Sequence, residues 1–313
     1  MLSRVANSLY WVGRYIERSE NLARYLRVQY FSILDAPMSQ NKDFILKSIL
    51  TMYGMEFDQE ELINEQEVLV EVGLNAENPI SLLSTIFAAR ENARSVRYII
   101  SSELWEVINQ YYLFVKEYDK SFFKTRGLFD FTFTATKHCS IVRSYLDHTL
   151  LHDDIWVFIE LGIYLERAAQ IVRILRSKLH DIAVLTEDGG NIPLLRYQWT
   201  ITLKVLEAFD VHRRIYKKPQ TQHTVIEFLT SNAQFPRSVA YNLKKVHELV
   251  SQLNQSTKSG EQLLFKTGKL SSHFQYLEYA EVEDELLTFL DKSLSRIYEL
   301  NVMIEEEYFN SIS

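Results

Sequence analysis

The chain has 313 residues, of which 47% are apolar, enough to build a sizeable hydrophobic core. Its formal net charge of −7 argues against a general nucleic-acid binder, since such proteins usually carry a basic surplus. The single cysteine, Cys139, excludes an intramolecular disulfide and fits a reducing compartment. We expect a cytoplasmic protein, because no apolar run approaches the roughly 18 residues of a membrane span and the N-terminus lacks the apolar core of a secretory signal.

Glycine and proline are scarce, at 9 and 5 residues, where average usage would give about 22 and 16. Few sharp turns are therefore expected, and the abundance of Leu, Glu, Arg, Lys and Ile favours helices over strands. In chain order, the pattern predicts helices over residues 3–34, 41–52, 59–72, 80–91, 92–118, 120–150, 153–186, 193–217, 222–231, 236–256 and 270–310. Whether 80–91 continues or kinks into 92–118 stays open. No break resembles an interdomain linker, so residues 1–313 are predicted to form a single all-α domain, a multi-helix bundle.

One face of the first predicted helix carries charged and amide side chains opposite its apolar stripe. Within GRYIERSENLAR, residues 13–24, Glu17 and Asn21 are i, i+4 and Asn21 and Arg24 are i, i+3, the separations at which helix side chains touch. Glu17 and Arg24 lie roughly 10.5 Å apart along the axis, so the amide is predicted to bridge them. We call this set the first ladder: Arg14, Glu17, Arg18, Asn21 and Arg24.

The chain repeats this arrangement in GIYLERAAQIVR, residues 162–173. Glu166, Arg167, Gln170 and Arg173, the second ladder, reproduce the Glu-Arg pair, the amide and the arginine at identical spacing. For one copy, a solvated helix face with weak stabilising pairs is an adequate interpretation. The very apolar flanks of the second copy favour burial of Glu166 and Arg167 instead, and buried charges must be paired. The repeat suggests an internal pseudo-repeat whose two Glu-Arg helices meet centrally.

Two further stretches add candidate binding residues. ARENAR, residues 89–94, supplies Arg90, Glu91, Asn92 and Arg94. FPRSV, residues 235–239, places Arg237 just inside a predicted helix start, where proline is favoured and free N–H groups attract anions. Arg237 is predicted to hold either a ligand carboxylate or phosphate, or a carboxylate of the protein itself.

The segments SRVANSLYWVGRYIERSENLAR, FAARENARSVR with SELWEVIN, LGIYLERAAQIVRIL and FPRSVAYNL resemble the bacterial alpha-E family in sequence and in order. The resemblance extends from Met1 to about residue 300. It implies an all-helical domain of unknown function that is named for its Glu-Arg motif. The chain departs from the family pattern at Ile163, where members often carry a basic residue, so Arg14 has no counterpart in the second ladder.

The resemblance also implies partners. Family members are typically encoded beside, or fused to, a circularly permuted ATP-grasp protein and a transglutaminase-like peptidase. The suggested system attaches a peptide by ATP-driven amide ligation and removes it. On that basis the chain is an accessory or binding component that contacts the ligase or a carboxylate-bearing peptide, its arginines supplying the anion contacts. Neither nucleic acid nor a membrane is an expected partner.

Two alternative functions stay open from the residues alone. The first is an enzyme, a transferase or hydrolase, that uses Glu17 or Glu166 as general base and the clustered arginines as electrostatic stabilisers. The second is that the ladders are purely architectural and fix helix register, while function lies on another surface. The oligomeric state has no signature in the sequence.

The sequence indicates no cofactor and no metal. It has no glycine-rich phosphate loop, and Cys139 lacks a catalytic signature and fits a small buried residue. His148 and His152, four residues apart and followed by Asp153, have a spacing that metal ligands use. The paired Glu-x-x-His motifs of helical di-iron bundles are missing, however. These residues also fit a helix break with Asp153 as the cap of the next helix, which we favour.

Overall fold

The computed structural model describes residues 2–35, 42–55, 64–123, 125–187, 192–257 and 260–310. Within those ranges the protein has no strand, which confirms the all-α prediction. Its helices are α1 (Ser3–Asp35), α2 (Lys42–Met52), α3 (Glu65–Leu74), α4 (Leu82–Ser95), α5 (Ser102–Lys116), α6 (Thr125–Thr149), α7 (Asp154–Glu187), α8 (Ile192–Val205), α9 (Phe209–Tyr216), α10 (Gln222–Ser231), α11 (Val239–Thr257), α12 (Glu261–Gln275) and α13 (Leu286–Tyr308). None of these helices is both long and apolar enough to cross a lipid bilayer.

Most predicted helices lie within a few residues of their expected bounds, and α10 matches its predicted range. α4 and α5 are separate helices, because the Ser101 hydroxyl caps α5 by accepting from the Leu104 N–H at 3.1 Å. The predicted helix end at Pro37, the first residues of the predicted helix 59–72 and most of the predicted loop after Glu187 lie outside the described residues.

The prediction of one helix over residues 193–217 is wrong. α8 ends at Val205 because Glu207 adopts a φ of 51° and the Ala208 N–H bonds back to the Leu203 carbonyl oxygen at 2.8 Å. This left-handed helix ending usually employs glycine or asparagine. Because a glutamate occupies this position, the sequence does not indicate that the helix ends here.

The prediction of one helix over residues 270–310 is also wrong. α12 already begins at Glu261, and two short 3₁₀ turns separate it from α13. Tertiary packing holds this turn, since Tyr279 is buried and stacks on His223 of α10 with ring centroids 4.3 Å apart. The segment between the two helices contains no glycine or proline that could have marked the break.

α1 and α7 form the centre of the bundle and cross at two glycines. A Cβ atom on Gly13 would lie less than 3.0 Å from the Ile159 carbonyl oxygen, and one on Gly162 less than 3.0 Å from the Tyr10 carbonyl oxygen. Only glycine permits backbones to approach this closely. Each glycine precedes the glutamate of its ladder by four residues, so the crossing brings the two Glu-Arg pairs together one turn further along.

The surrounding helices bury both ladders. α4 and α6 pack on α1, while α11 and α13 pack on α7. Glu17 and Arg24 have no exposed surface, so the interpretation of the first ladder as a solvated face is wrong. Glu166 and Arg167 are 0% and 8% exposed, which confirms the burial predicted from their apolar flanks. The central meeting of the two Glu-Arg helices is confirmed as well.

Candidate functional site

The two ladders meet face to face, and each glutamate accepts hydrogen bonds from the arginine of the other. Arg18 Nε and Nη2 donate to Glu166 at 2.9 and 3.1 Å. Arg167 Nε and Nη2 donate to Glu17 at 2.9 and 2.7 Å. Both are bidentate pairs, a strong geometry between a guanidinium and a carboxylate. Because each pair joins α1 to α7, the two pairs fix the register of the crossing.

Each glutamate also has a second arginine. Arg14 Nε donates to Glu166 at 2.8 Å, and Arg143 of α6 donates to Glu17. Ile163 occupies the position in the second ladder that corresponds to Arg14, so Arg143 supplies from a neighbouring helix the charge that the repeat lacks. Sequence reasoning missed Arg143 because it lies in neither motif.

Both glutamates are held in the ionised form. Burial alone would raise the pKa of Glu17, but the guanidinium groups of Arg143 and Arg167 outweigh it and lower the pKa to about 2. Burial is likewise outweighed at Glu166, where the two arginines of α1 hold the pKa well below its usual range. A general base needs a pKa near the working pH. The geometry therefore disfavours Glu17 and Glu166 as catalytic bases.

The amide side chains extend each pair along its own helix. Asn21 Nδ2 donates to Glu17 Oε1 at 2.8 Å, and Asn21 Oδ1 accepts from Arg24 Nη2 at 2.7 Å. This confirms the amide bridge predicted between Glu17 and Arg24. In the second ladder, Gln170 Nε2 donates to Glu166 Oε1 at 2.8 Å, which repeats the first half of the bridge.

The two ladders differ at their last arginine. Arg24 is fully buried, and its Nη1 donates to Glu20 Oε1 at 2.7 Å. Arg173 is half-buried, and its Nε donates to the Tyr298 hydroxyl of α13 at 2.9 Å. At Arg173 the second ladder therefore does not reproduce the first, because a tyrosine from a distant helix engages the guanidinium. Among the described residues, no carboxylate forms an ion pair with Arg173.

Arg237 binds carboxylates of the protein itself, one of the two outcomes predicted for it. Its Nη2 lies 2.8 Å from Glu20 and 2.7 Å from Glu207. The predicted helix start at residue 236 is wrong, since Ser238 caps α11 by accepting from the Tyr241 N–H at 3.1 Å and Arg237 lies in the preceding turn. Glu20 and Glu207 were missed in the sequence because they fall outside the repeated pattern.

The residues of ARENAR form a separate cluster between α4 and α5. Arg90 Nε donates to Asn109 at 2.7 Å, and its guanidinium lies over two aromatic rings of α5. Arg90 and Arg94 both pair with Glu91, at 2.6 and 2.9 Å, and Asn92 donates to its own helix backbone. In the part of the chain that is described, these bonds stay within α4 and α5, so the four side chains do not join the ladders.

The histidines near the start of α7 are engaged locally. His148 bonds to its own helix backbone, and His152 stacks on Trp156 with ring centroids 4.3 Å apart. Asp153 accepts from the N–H two residues on at 2.9 Å, which confirms its role as a cap. Cys139 is buried as predicted, and burial raises the pKa of its thiol to about 12. Within the described ranges, no three His, Cys, Asp or Glu side chains are grouped so that they could hold a metal ion.

A cavity of about 620 Å³ lies at the end of the second ladder. This volume is within the range of small-molecule sites. Its lining combines cationic and hydrogen-bonding groups with apolar ones, and comes from α1, α7, α13, the loop after α2 and the turn before α4. Among the lining residues are Arg18, Tyr53, Gly54, Ile80, Gln170, Arg173, Arg176, His180, Asp291 and Tyr298. Arg176 pairs with Asp291 at 2.6 Å. When Glu166 and its second partner Arg14 are included, four arginines lie against two carboxylates, which makes this part of an acidic protein electropositive.

Glu160 on α7 is a second feature that sequence reasoning missed. Burial and the neighbouring Asp147 raise the pKa of Glu160 to about 7, against the opposing effect of Arg167 and Arg143. A group whose folded pKa is raised stabilises the fold below its unfolded pKa and loses that contribution as pH rises through the folded value. The stability that the neutral Glu160 contributes is therefore lost progressively between about pH 4.5 and pH 7, as the carboxyl ionises in the unfolded chain while it stays protonated in the folded one.

We expect Glu160→Gln to raise the melting temperature at pH 8. A pKa shift from 4.5 to about 7 corresponds to a loss of about 3 kcal/mol in the free energy of unfolding above pH 7, and the neutral amide of glutamine avoids this loss. The melting temperature should rise by several degrees at pH 8 and change little at pH 4.5. Calorimetry of both proteins at the two pH values measures this, and an equal effect at both pH values would contradict it.

The fold and this site define an all-helical protein built around two crossed Glu-Arg helices. The family described as Alpha-E, a predicted alpha-helical domain with a conserved ER motif, matches residues 1–309. The chain belongs to this family.

Relatives of the chain occur in mycobacteria. It is similar to the uncharacterized proteins Mb2597 of Mycobacterium bovis and MT2643 of Mycobacterium tuberculosis, each 23% identical over 275 residues. The matched region is 82% of this chain and 30% of each relative, so the chain spans about 30% of the length of these relatives. No solved structure matches the chain.

Proposed function

We propose that this protein is a binding component of an ATP-dependent peptide ligation system in the cytoplasm, and that it binds a carboxylate-bearing peptide. The observation that carries the proposal is the cavity at the end of the second ladder. Arg173 faces this cavity with a neutral tyrosine hydroxyl as its hydrogen-bond partner. A half-buried guanidinium gains most from a carboxylate or phosphate that brings two acceptor oxygens.

The chemistry of the cavity supports binding rather than catalysis. Glu17 and Glu166, the glutamates of the two ladders, are ionised and accept hydrogen bonds from arginines. They are therefore poorly suited to proton transfer. Arg18 and Gln170 line the cavity while they hold Glu166. A ligand there meets a rigid electropositive wall, because these side chains are already fixed by the crossing of α1 and α7.

The ligation system is part of this proposal because the family resemblance implies an ATP-grasp ligase and a transglutaminase-like protein as partners. In the mycobacterial relatives, the region similar to this chain is joined to much additional sequence. Such an arrangement suits a module that works next to other domains. The peptide would be the substrate or the product of the ligase, held by this chain through its carboxylates.

The direct test is a calorimetric titration of the purified protein with an oligoglutamate peptide and with the matched oligoglutamine peptide in low-salt buffer. We expect the acidic peptide to bind at least about tenfold more tightly, since hydrogen bonds to charged groups contribute about 1.5–3 kcal/mol. Added salt should weaken the difference. If neither peptide binds at millimolar concentration, or both bind equally, the peptide-binding proposal fails.

A further inference from the structure

The two halves of the chain, α1–α6 and α7–α13, correspond beyond the ladders. The loops after α2 and α8 have the same ending: Gly54 and Glu207, each two residues beyond the helix, adopt positive φ values of 66° and 51°. In both loops this residue donates to the carbonyl three residues before it. The next residue, Met55 or Ala208, donates to the carbonyl five residues before it. Gly54 therefore corresponds to Glu207.

The turns before α4 and α11 correspond in the same way. Ser81 and Ser238 each cap the following helix, and each hydroxyl donates to the carbonyl of an asparagine six residues earlier. Each of those asparagines, Asn75 and Asn232, accepts from the N–H two residues on. The residue before the capping serine is isoleucine in the first half and Arg237 in the second.

This correspondence shows what surrounds the last arginine of each ladder. Around Arg24, the protein builds an ion network in which Glu20 lies 2.7 Å from Arg24 and 2.8 Å from Arg237. Glu207 lies 2.7 Å from Arg237 and 3.7 Å from Arg24. Arg143 also pairs with Glu20, at 2.6 Å, so the first ladder ends in two carboxylates and two further guanidinium groups, all supplied by the chain.

Around Arg173, the same positions carry no charge. Ala169 stands where the first ladder has Glu20, Ile80 where the other half has Arg237, and Gly54 where it has Glu207. Ile80 and Gly54 line the cavity together with Arg173. The substitutions replace three large charged side chains by smaller or apolar ones, and at two of these positions, Gly54 and Ile80, the residue lines the cavity.

We infer that the carboxylate of a ligand occupies, next to Arg173, the position that the Glu20 carboxylate holds next to Arg24. This inference rests on the proposed function and deepens it by naming the site and the group that is bound. Arg173 donates to the ligand carboxylate, while Arg176 stays paired with Asp291. Gln170 holds Glu166 in its ladder position. The carboxylate belongs to a peptide and is either its C-terminus or an acidic side chain.

Three probes separate the two sources of the carboxylate. The first is an acetylated and amidated alanine peptide that contains one glutamate, and the second is its glutamine analogue. The third is an acetylated alanine peptide with a free C-terminus. Inorganic phosphate serves as a competitor, because a site built for phosphate would prefer it to either carboxylate peptide, and that result would overturn the assignment.

Arg173→Gln is the principal variant, with Arg126→Gln as its control. Both remove one positive charge, but Arg126 is an almost fully exposed residue near the start of α6. We expect Arg173→Gln to weaken binding of the preferred carboxylate peptide by about 10- to 100-fold. We expect Arg126→Gln to change it by less than about twofold at moderate salt.

Ala169→Glu provides an independent test, with Ala169→Gln as its size-matched control. The glutamate reproduces the i, i+4 pair that Glu20 forms with Arg24, so it should satisfy Arg173 internally and abolish peptide binding more completely than glutamine. Because Ala169 is buried, the helical circular dichroism of both variants must first match that of the wild type. If it does not match, the comparison of Arg173→Gln with Arg126→Gln tests the site alone.

The outcomes distinguish this inference from the proposed function. If the wild type binds a carboxylate peptide and Arg173→Gln weakens it no more than Arg126→Gln, the protein still binds peptides but the assigned site is wrong. If the wild type binds no carboxylate peptide, both the site and the proposed function are overturned. Loss of binding in Arg173→Gln and retention in Arg126→Gln is the result that we expect.

Discussion

Replacing Glu166 with glutamine is expected to lower the melting temperature of the protein by about 10 °C. The glutamate is fully buried and receives bidentate hydrogen bonds from Arg18 and a further bond from Arg14. Glutamine keeps the size but removes the charge, which leaves two guanidinium groups without their carboxylate. Breaking a buried ion pair from one side costs about 3–5 kcal/mol, which for a chain of this length corresponds to a shift of that order.

The control for this substitution is Glu248→Gln. Glu248 pairs with Lys245 at 2.8 Å on the exposed face of α11, where an ion pair contributes about 0–1 kcal/mol. The control should therefore melt within about 2 °C of the wild type. Equal melting temperatures for Glu166→Gln and the wild type would show that the buried network contributes nothing to stability, and the architectural role assigned to the ladders would then be wrong.

Replacing Gly162 with alanine is expected to destabilise the protein by about 3–5 kcal/mol. In an ordinary helix this change would be favourable by about 0.5–1 kcal/mol. Here the new methyl group would lie less than 3.0 Å from the Tyr10 carbonyl oxygen, a backbone atom that cannot turn away. The two central helices must separate, and the Glu-Arg pairs that join them one turn further along must lengthen. Chemical denaturation of the variant measures the loss.

Gly268→Ala is the matched control for the glycine substitution. Gly268 also lies inside a helix, α12, but its new methyl group would meet the His247 ring at 3.1 Å, and a side chain can shift. This variant should stay within about 1 kcal/mol of the wild type. If Gly162→Ala behaved like Gly268→Ala, α1 and α7 would not be in the close contact that aligns the ladders.

The ladders themselves were predictable because their residues follow helical spacing within one element. The Glu-Arg pair and the amide bridge from Glu17 to Arg24 depend on i, i+3 and i, i+4 geometry, which sequence spacing determines. The apolar flanks of the second copy correctly indicated that Glu166 is buried. These are local properties, and the all-α architecture followed from composition for the same reason.

The partners supplied by other helices could not be predicted. Arg143, Tyr298 and Glu207 reach the ladders from α6, α13 and the loop after α8, and no spacing rule relates them to the motifs. The missed helix ends have a related cause. Glu207 adopts a left-handed conformation without being glycine, and the turn after α12 depends on packing with a distant helix.

The centre of the Glu-Arg network and the end of the second ladder are expected to have different roles, the first in stability and the second in binding. The centre of the network, where each glutamate is saturated by arginines, holds α1 against α7 and is expected to govern stability. The second ladder ends at Arg173, which faces a cavity. Substitutions at the centre should therefore affect folding first, whereas substitutions at Arg173 should affect binding with little loss of stability.

The most direct measurement is a crystal structure of the protein with the carboxylate peptide that it prefers. We expect a carboxylate oxygen about 2.8 Å from a guanidinium nitrogen of Arg173, the usual distance of a charge-assisted hydrogen bond. Ile80 and Gly54 should flank the bound group. A peptide bound on another surface, with Arg173 still donating to the Tyr298 hydroxyl, would contradict this assignment.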